Sequence, residues 1–101
     1  MAQTVTLNNG IRMPMLGYGT IAQAGEQITE NVAFALHNGY ALIDTANRYG
    51  NEVKVGRGLQ RSGLPRESYF LETKLGPTLY EKDGAVEDTL KRLDTSYIDL
   101  M

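Results

Sequence analysis

Short apolar stretches alternate with segments of helical periodicity along most of the chain, and this alternation limits the possible folds more than any other feature. Four stretches are typical of strands: MLGYGT from Met15, ALIDTA from Ala41, SYFLETKL from Ser68 and YIDLM from Tyr97. Between them, apolar residues recur at the spacing of one helix face. Strands that alternate with helices predict right-handed βαβ units and therefore a parallel sheet.

Three helices are predicted between the strands from their apolar spacing and their end signals. The first runs from about Glu26 to Asn38 and is stopped by Gly39, since glycine accepts the left-handed conformation at a helix end. Asn51 and Asp83 are the predicted N-caps of the second and third helices. The residues predicted to face inward are Ile28, Val32, Leu36, Val55, Leu59, Val86, Leu90 and Leu93, and the outward pairs predicted on the third helix are Glu87–Lys91 and Asp88–Arg92.

The segment TVTLNNGIRMP, which begins at Thr4, is typical of a β-hairpin. Asn9-Gly10 is a strong hairpin signal, because a type I′ turn needs positive φ at both central residues. Parallel strands need cover on both faces of their sheet, so helices on one face alone require the sheet to curl into a barrel. A complete barrel of this kind needs eight βα units and about 250 residues. The 101-residue chain has three such units and the start of a fourth.

Composition excludes several classes of function. A formal charge of -2 and a pI of about 5.3 give no reason to expect a nucleic-acid surface. The chain has no cysteine for disulfides or thiolate metal sites, and a single histidine, His37, cannot form a zinc cluster. The sequence shows no signal peptide and no apolar run near the ~20 residues of a membrane span. A soluble, cytoplasmic chain is therefore expected.

Three chemically active side chains follow the second and third predicted strands. Asp44 ends ALID, Tyr49 lies in the next loop, and Lys74 ends LETK. Burying a lone carboxylate is costly, and neighbouring strands lie about 4.8 Å apart, so we expect an Asp44–Lys74 ion pair at the carboxyl edge of the sheet. A cation held near a phenol favours the phenolate. Tyr49 can then act as a general acid toward a carbonyl oxygen, while the hydride comes from a cofactor.

Four segments, in order and at matching spacing, resemble the opening third of an aldo-keto reductase. They are LNNGIRMPMLGYGT, NGYALIDTANRYGNE, YFLETKL and LKRLDTSYIDLM. The resemblance implies that residues 1–101 are the N-terminal part of an α/β fold, the (β/α)8 TIM barrel, with the N-terminal hairpin closing the barrel base. It also implies an NADPH-dependent oxidoreductase that reduces small aldehydes or ketones to alcohols.

The same resemblance assigns roles to particular residues. Asp44, Tyr49 and Lys74 match three places of the family's catalytic tetrad, with Tyr49 as the proton donor. Gly19 and Thr20 match positions beside the nicotinamide of NADPH, and Asp44 also matches a position near its ribose. No metal site is implied.

The fourth member of the family's tetrad is a histidine that follows the strand beginning YIDL, and the sequence ends at Met101 before that position. His37 cannot replace it, because His37 lies on the first predicted helix. We therefore expect a fragment or a truncated product, which self-associates or pairs with the missing C-terminal part. Two alternatives to the reductase are a non-catalytic, reductase-like scaffold and an open doubly wound sheet that binds a phosphorylated ligand.

Four more residues of the predicted sheet carry structural expectations. Leu42 and Phe70 are expected to form an exposed apolar face toward the missing barrel interior. Glu72 is predicted on the same side, where it is either satisfied by a partner or partly protonated. Asp99 is predicted to end a strand with a backbone partner, and it has no assigned role.

Overall fold

The computed structural model describes residues 3–21 and 25–101, and in them an N-terminal hairpin precedes three parallel strands and three helices. In chain order, the elements are β1 (Thr4–Thr6), β2 (Arg12–Pro14), β3 (Tyr18–Gly19), α1 (Gln27–His37), β4 (Leu42–Asp44), α2 (Glu52–Ser62), β5 (Phe70–Glu72) and α3 (Ala85–Leu93). Short 3₁₀ turns lie in three of the loops, at Asn47–Tyr49, Arg66–Ser68 and Pro77–Leu79. The predicted alternation of strands and helices is confirmed, with shorter strands than the sequence suggests.

The predicted hairpin is present, but its turn is of another type. β1 and β2 pair antiparallel, with Val5 opposite Met13. The backbone N–H of Gly10 donates to the carbonyl of Leu7 at 2.9 Å, and Gly10 has a φ of 85°. Asn9 is not among the described residues with positive φ, so the type I′ prediction is wrong. A three-residue loop that ends in a left-handed glycine replaces it, and this arrangement also suits the twist of a hairpin.

The parallel sheet has the order β3-β4-β5. Gly19 lies opposite Asp44, and Asp44 lies opposite Glu72, so the carboxyl ends of the three strands reach one edge of the sheet. The predicted fourth strand is reduced to a single parallel bridge between Glu72 and Leu100. In that bridge, the N–H of Thr73 donates to the carbonyl of Leu100 at 3.0 Å.

The two faces of the sheet are covered differently. Ile43 and Leu71 belong to the core cluster under the helices, and both are fully buried. Leu42 and Phe70 point the other way, and the prediction that they are exposed is wrong, because each is only 5% exposed. Phe70 lines a cleft together with hairpin residues, and the backbone at Gly17 lies against Leu42. The hairpin and the segment after it therefore cover the apolar part of this face.

The helix ends show which cap signals are used. α1 is followed by Gly39 at a φ of 98°, as predicted. Asn51 precedes α2, but it makes no side-chain cap bond, and its side-chain amide instead donates to the carbonyl of Thr20 at 2.9 Å. The prediction that Asp83 caps α3 is wrong, since the residue before the helix is Gly84 in a left-handed conformation.

The buried face of α3 differs from the predicted one. Ala85, Thr89 and Leu93 are buried, whereas Val86 is 42% exposed. Arg92 pairs with Glu52 of α2 rather than with Asp88. The helix is therefore rotated so that a threonine and an arginine, rather than a valine, reach the neighbouring elements.

Arg66 and Asp99 hold the C-terminal segment against β5. Asp99 Oδ2 accepts from the backbone N–H of Leu71 at 2.8 Å and from Arg66 Nη2 at 2.7 Å. The guanidinium of Arg66 also lies over the rings of Tyr69 and Tyr97, at 4.9 and 3.9 Å from their centroids. The predicted backbone partner of Asp99 is thus confirmed.

Two glycines allow the helices to pack closely. A Cβ added at Gly56 of α2 would lie 2.6 Å from the carbonyl oxygen of Leu93 in α3. A Cβ added at Gly58 would lie 2.7 Å from the carbonyl oxygen of Thr29 in α1. Both distances are shorter than van der Waals contact, so α2 carries glycines where its neighbours approach its backbone.

We predict that Gly56→Ala destabilises the chain, although alanine is favoured over glycine by about 1 kcal/mol in a helix. The added methyl group meets backbone, which cannot rotate away, and such overpacking costs about 1–3 kcal/mol. Urea unfolding followed by circular dichroism measures the change. Val53→Ala, at an exposed position of the same helix, should change stability by less than about 0.5 kcal/mol. A Gly56→Ala chain as stable as the wild type would contradict the close contact.

Candidate active site

An ion pair occupies the carboxyl edge of the sheet, as the sequence predicts. Lys74 Nζ donates to Asp44 Oδ1 at 2.6 Å and to the backbone carbonyl of Thr45 at 3.0 Å. The side chains of Lys74 and Asp44 are 49% and 31% exposed. Because Asp44 ends β4 and Lys74 follows β5 by two residues, the register of the two strands brings them together.

Tyr49 lies beside this pair. It is the last residue of the 3₁₀ turn Asn47–Tyr49, and its N–H donates to the carbonyl of Ala46 at 3.2 Å. Gly50 follows in a left-handed conformation, which turns the chain toward α2. Lys74 Nζ lies 5.4 Å from the centroid of the Tyr49 ring. The structure therefore brings Asp44, Tyr49 and Lys74, which are separated in sequence, to one place.

The charge state of Lys74 follows from its neighbours. Desolvation alone lowers the pKa of Lys74, but the hydrogen bond and the negative charge of Asp44, with a smaller contribution from Tyr49, outweigh it. The net effect raises the pKa of Lys74 above its ordinary value. The ammonium is thus held in its charged form beside the phenol.

Glu72 is a second carboxylate at the same edge. It lies directly opposite Asp44 in the strand pairing. Burial raises the pKa of Glu72, and the charge of Asp44 and a hydrogen bond with it raise it further, while Lys74 opposes them. Glu72 therefore holds its proton more tightly than a free glutamate does, and the groups that act on it are Asp44 and Lys74.

Gly19 and Thr20 occupy the next position along the edge. Gly19 is exposed, and a Cβ added there would meet nothing within 4 Å, so there is open space beside Asp44. Thr20 is fully buried, and both its N–H and its hydroxyl donate to the carbonyl of Asp44, at 3.1 and 2.9 Å. Thr20 thus fixes the backbone of Asp44, and Gly19 leaves room for a flat group above that backbone.

Other candidate groups lie outside this edge. His37 Nε2 donates to the carbonyl of Ser62 at 2.8 Å, in the helix layer. No cluster of three or more potential metal ligands occurs within residues 3–21 and 25–101. In the same part of the chain, no helix has both the length and the apolar character needed to cross a membrane.

Asn47 is a site residue that the sequence reasoning missed. Its backbone N–H donates to the carbonyl of Lys74 at 3.0 Å, and its side-chain Oδ1 accepts from the N–H of Gly76 at 3.1 Å. Asn47 therefore joins the loop of Tyr49 to the segment around Lys74. The only sequence signal is an amide side chain between two predicted site residues, and such a side chain is common in any polar loop.

The sequence can also be compared with known proteins. The profile of the aldo/keto reductase family matches residues 15–101. The morphine 6-dehydrogenase of Pseudomonas putida is 41% identical over 99 residues, which cover 95% of this chain and 33% of that protein. An aldehyde reductase of Saccharomyces cerevisiae is 42% identical over 98 residues, which cover 96% of this chain and 31% of that protein. The chain thus spans about a third of the length of these relatives.

Solved structures agree with this result. An aldo/keto reductase from Brucella melitensis matches with a TM-score of 0.91 and 39% identity, over 97% of this chain and 38% of that one. The Bombyx mori aldo-keto reductase, solved in complex with NADP, matches with a TM-score of 0.90 and 30% identity, over 96% of this chain and 36% of that one. The predicted fold class, the N-terminal part of a (β/α)8 barrel, is confirmed. On the profile match and these similarities together, the chain belongs to the aldo/keto reductase family.

Proposed function

We propose that residues 1–101 are the first part of the barrel domain of an NADPH-dependent oxidoreductase that reduces small aldehydes or ketones to alcohols. One observation carries the proposal: the pair of Lys74 and Asp44, 2.6 Å apart, lies beside Tyr49 at the carboxyl ends of parallel strands. Catalytic groups of (β/α)8 barrels lie at those strand ends. Because the chain spans about a third of its relatives' length, the proposed activity is that of the complete protein.

Tyr49 is the proposed proton donor. As the carbonyl carbon is reduced, the carbonyl oxygen gains an electron pair and takes the proton from the Tyr49 hydroxyl. The phenolate that remains is stabilised by the ammonium of Lys74, which Asp44 keeps in its charged form. A nicotinamide cofactor, when bound, supplies the hydride that no side chain can provide.

Gly19, Thr20 and Asp44 are the proposed cofactor-binding residues. The open space at Gly19, beside Asp44, fits the approach of a flat ring to the backbone. Thr20 would contribute by holding the Asp44 backbone in place, since its hydroxyl is buried and already used there. The proposal that the cofactor is NADPH rests on relatives. The Bombyx mori structure contains NADP, and a similar yeast protein is named a glycerol 2-dehydrogenase (NADP(+)).

We propose that the rest of the barrel covers the two lateral edges of this sheet, one beside β3 and one beside Leu100. Met15, Leu16 and Ile21 flank the edge strand β3 and are 61–66% exposed. At the other end, Leu100 and Met101 are 39% and 46% exposed, and Leu100 makes only a single bridge. Edge strands beside apolar surface favour association.

The first functional prediction concerns Tyr49→Phe in the complete protein. The change removes the acid proton and leaves the ring, so carbonyl reduction should fall by about 10²–10⁴-fold. NADPH binding, measured by fluorescence titration, should stay nearly unchanged. Tyr40→Phe, which alters a tyrosine before the amino end of β4, is the matched control and should keep full activity. Activity above a tenth of wild type in Tyr49→Phe would exclude Tyr49 as the acid.

The second prediction concerns Lys74→Met. Without the ammonium, the phenolate is less stable and the proton is held more tightly, so the apparent pKa of the pH–rate profile should rise. Because Lys74 and Asp44 are partly exposed, the loss of stability should be well below the ~3–5 kcal/mol typical of a fully buried pair. Lys91→Met, on the exposed side of α3, should leave the profile unchanged. An unaltered profile in Lys74→Met would remove Lys74 from the mechanism.

The third prediction concerns the 101 residues alone. With both lateral edges of the sheet uncovered, the chain should self-associate or pair with a complementary C-terminal fragment. It should bind NADPH weakly or not at all. Light scattering measures the mass, and fluorescence titration measures binding. A monomer that binds NADPH at micromolar concentration and reduces an aldehyde would show that the early barrel units suffice.

A further inference from the structure

A buried polar network lies behind the loop that carries Tyr49. Glu52, the first residue of α2, is only 3% exposed. Its Oε1 accepts from Arg92 Nε of α3 at 2.5 Å, and its Oε2 accepts from Asn47 Nδ2 at 3.0 Å. A carboxylate so deeply buried needs such partners, and here one of them belongs to the loop between Asp44 and Tyr49.

Asn47 uses its whole side-chain amide in this network. Nδ2 donates to Glu52 and also to Thr89 Oγ1 at 3.1 Å, and Oδ1 accepts from the N–H of Gly76 at 3.1 Å. The reversed amide would place its oxygen against the carboxylate and its NH2 against an N–H donor. Glu52 therefore fixes the orientation in which Asn47 can hold Gly76.

The same residue controls two parts of the proposed site. Asn47 begins the turn that ends at Tyr49. Its backbone N–H donates to the carbonyl of Lys74, and its side chain holds Gly76, so it binds the chain at Lys74 and two residues beyond it. Asn47 therefore links the loop that carries Tyr49 to the chain segment that carries Lys74.

We propose that Asn47, oriented by the Glu52–Arg92 pair, is a positioning residue that sets Tyr49 against Lys74 for proton transfer. The inference rests on the proposed function. Glu52 belongs to α2 and Arg92 to α3, and neither contacts Lys74 among the described bonds. The pair therefore acts on the site only through the bond from Asn47 to Glu52. Glu52 is buried and Arg92 is 37% exposed, and apolar residues at these two positions could not orient the Asn47 amide.

Glu52→Gln in the complete protein tests the proposal. The glutamine keeps the shape but must present its NH2 to Arg92 or to Asn47, so one donor faces another. We expect kcat for carbonyl reduction to fall at least about tenfold, since small displacements of reacting groups have effects of this size, while the KM for NADPH stays within twofold. Glu30→Gln is the matched control: Glu30 pairs with Arg61 on the surface, and its loss should leave kcat unchanged.

Two more variants separate a general loss of stability from a loss of positioning at the site. Val32→Ala removes core volume in α1 and lowers stability away from the network; its kcat per folded molecule should equal that of the wild type. Asn47→Asp keeps an acceptor for Gly76 but places a carboxylate against Glu52, and it should lose kcat as Glu52→Gln does. A kcat within twofold of wild type in either network variant, or a loss no larger than that of Val32→Ala, overturns the proposal.

Amide hydrogen exchange gives a readout that does not depend on activity. In Glu52→Gln, exchange at Tyr49 and Gly76 should accelerate at least about tenfold relative to the amides of α1, because both N–H groups are hydrogen-bonded in the ordered loop. Unchanged exchange at these two positions overturns the proposal even if the wild type proves inactive. An inactive wild type with accelerated exchange in the variant refutes the proposed reaction, while it still shows that Glu52 and Asn47 hold the loop of Tyr49 against the segment at Gly76.

Discussion

The parallel register of β3, β4 and β5 is the constraint on which the site depends. It places Gly19 opposite Asp44 and Asp44 opposite Glu72. Parallel neighbours lie about 4.8 Å apart, so register alone brings two carboxylates together at the carboxyl edge. A slip of one residue would turn Asp44 toward the helices. With this register, Lys74 lies two residues beyond β5 and reaches Asp44. Its positive charge offsets the free-energy cost of partly burying the Asp44 carboxylate.

The charges at this edge are balanced unequally. The ammonium of Lys74 is paired with Asp44, which raises the pKa of Lys74 against the effect of desolvation. Lys74 also lowers the pKa of Glu72, but burial and the charge of Asp44 outweigh it, and the pKa of Glu72 is raised. The edge therefore combines one carboxylate–ammonium pair with a second acid that holds its proton more tightly than a free glutamate does. The Tyr49 ring lies beside the cation of this pair, with its centroid 5.4 Å from Lys74 Nζ.

Helix packing and the site are connected through α2. Gly56 lets α3 approach until the carbonyl of Leu93 lies against the backbone of α2. One turn earlier on α2, the carboxylate of Glu52 accepts a hydrogen bond from Arg92, the neighbour of Leu93. The same carboxylate also accepts a hydrogen bond from the side chain of Asn47. The absence of a side chain at Gly56 thus allows an ion pair that reaches the loop of Tyr49 through Asn47.

The sequence by itself determined the order of elements and the grouping of Asp44, Tyr49 and Lys74. Apolar spacing is a local property, and charged residues that follow neighbouring parallel strands lie at the same edge of the sheet, so the grouping of Asp44, Tyr49 and Lys74 follows from the sequence alone. Gly39 at the end of α1 followed from local backbone conformation in the same way. The hairpin was also predictable, although its turn type was not, because the same Asn-Gly pair fits more than one loop.

Only the tertiary structure decided which face of α3 is buried and which partner Arg92 takes. Asp88 lies one turn away on the same helix, but Glu52 lies 40 residues earlier, and its buried carboxylate gains more from a cation than an exposed one does. The burial of Leu42 and Phe70 likewise depends on the segment from the hairpin to Gly17, which folds back over the sheet. These outcomes depend on distances between segments remote in sequence, which local patterns do not encode.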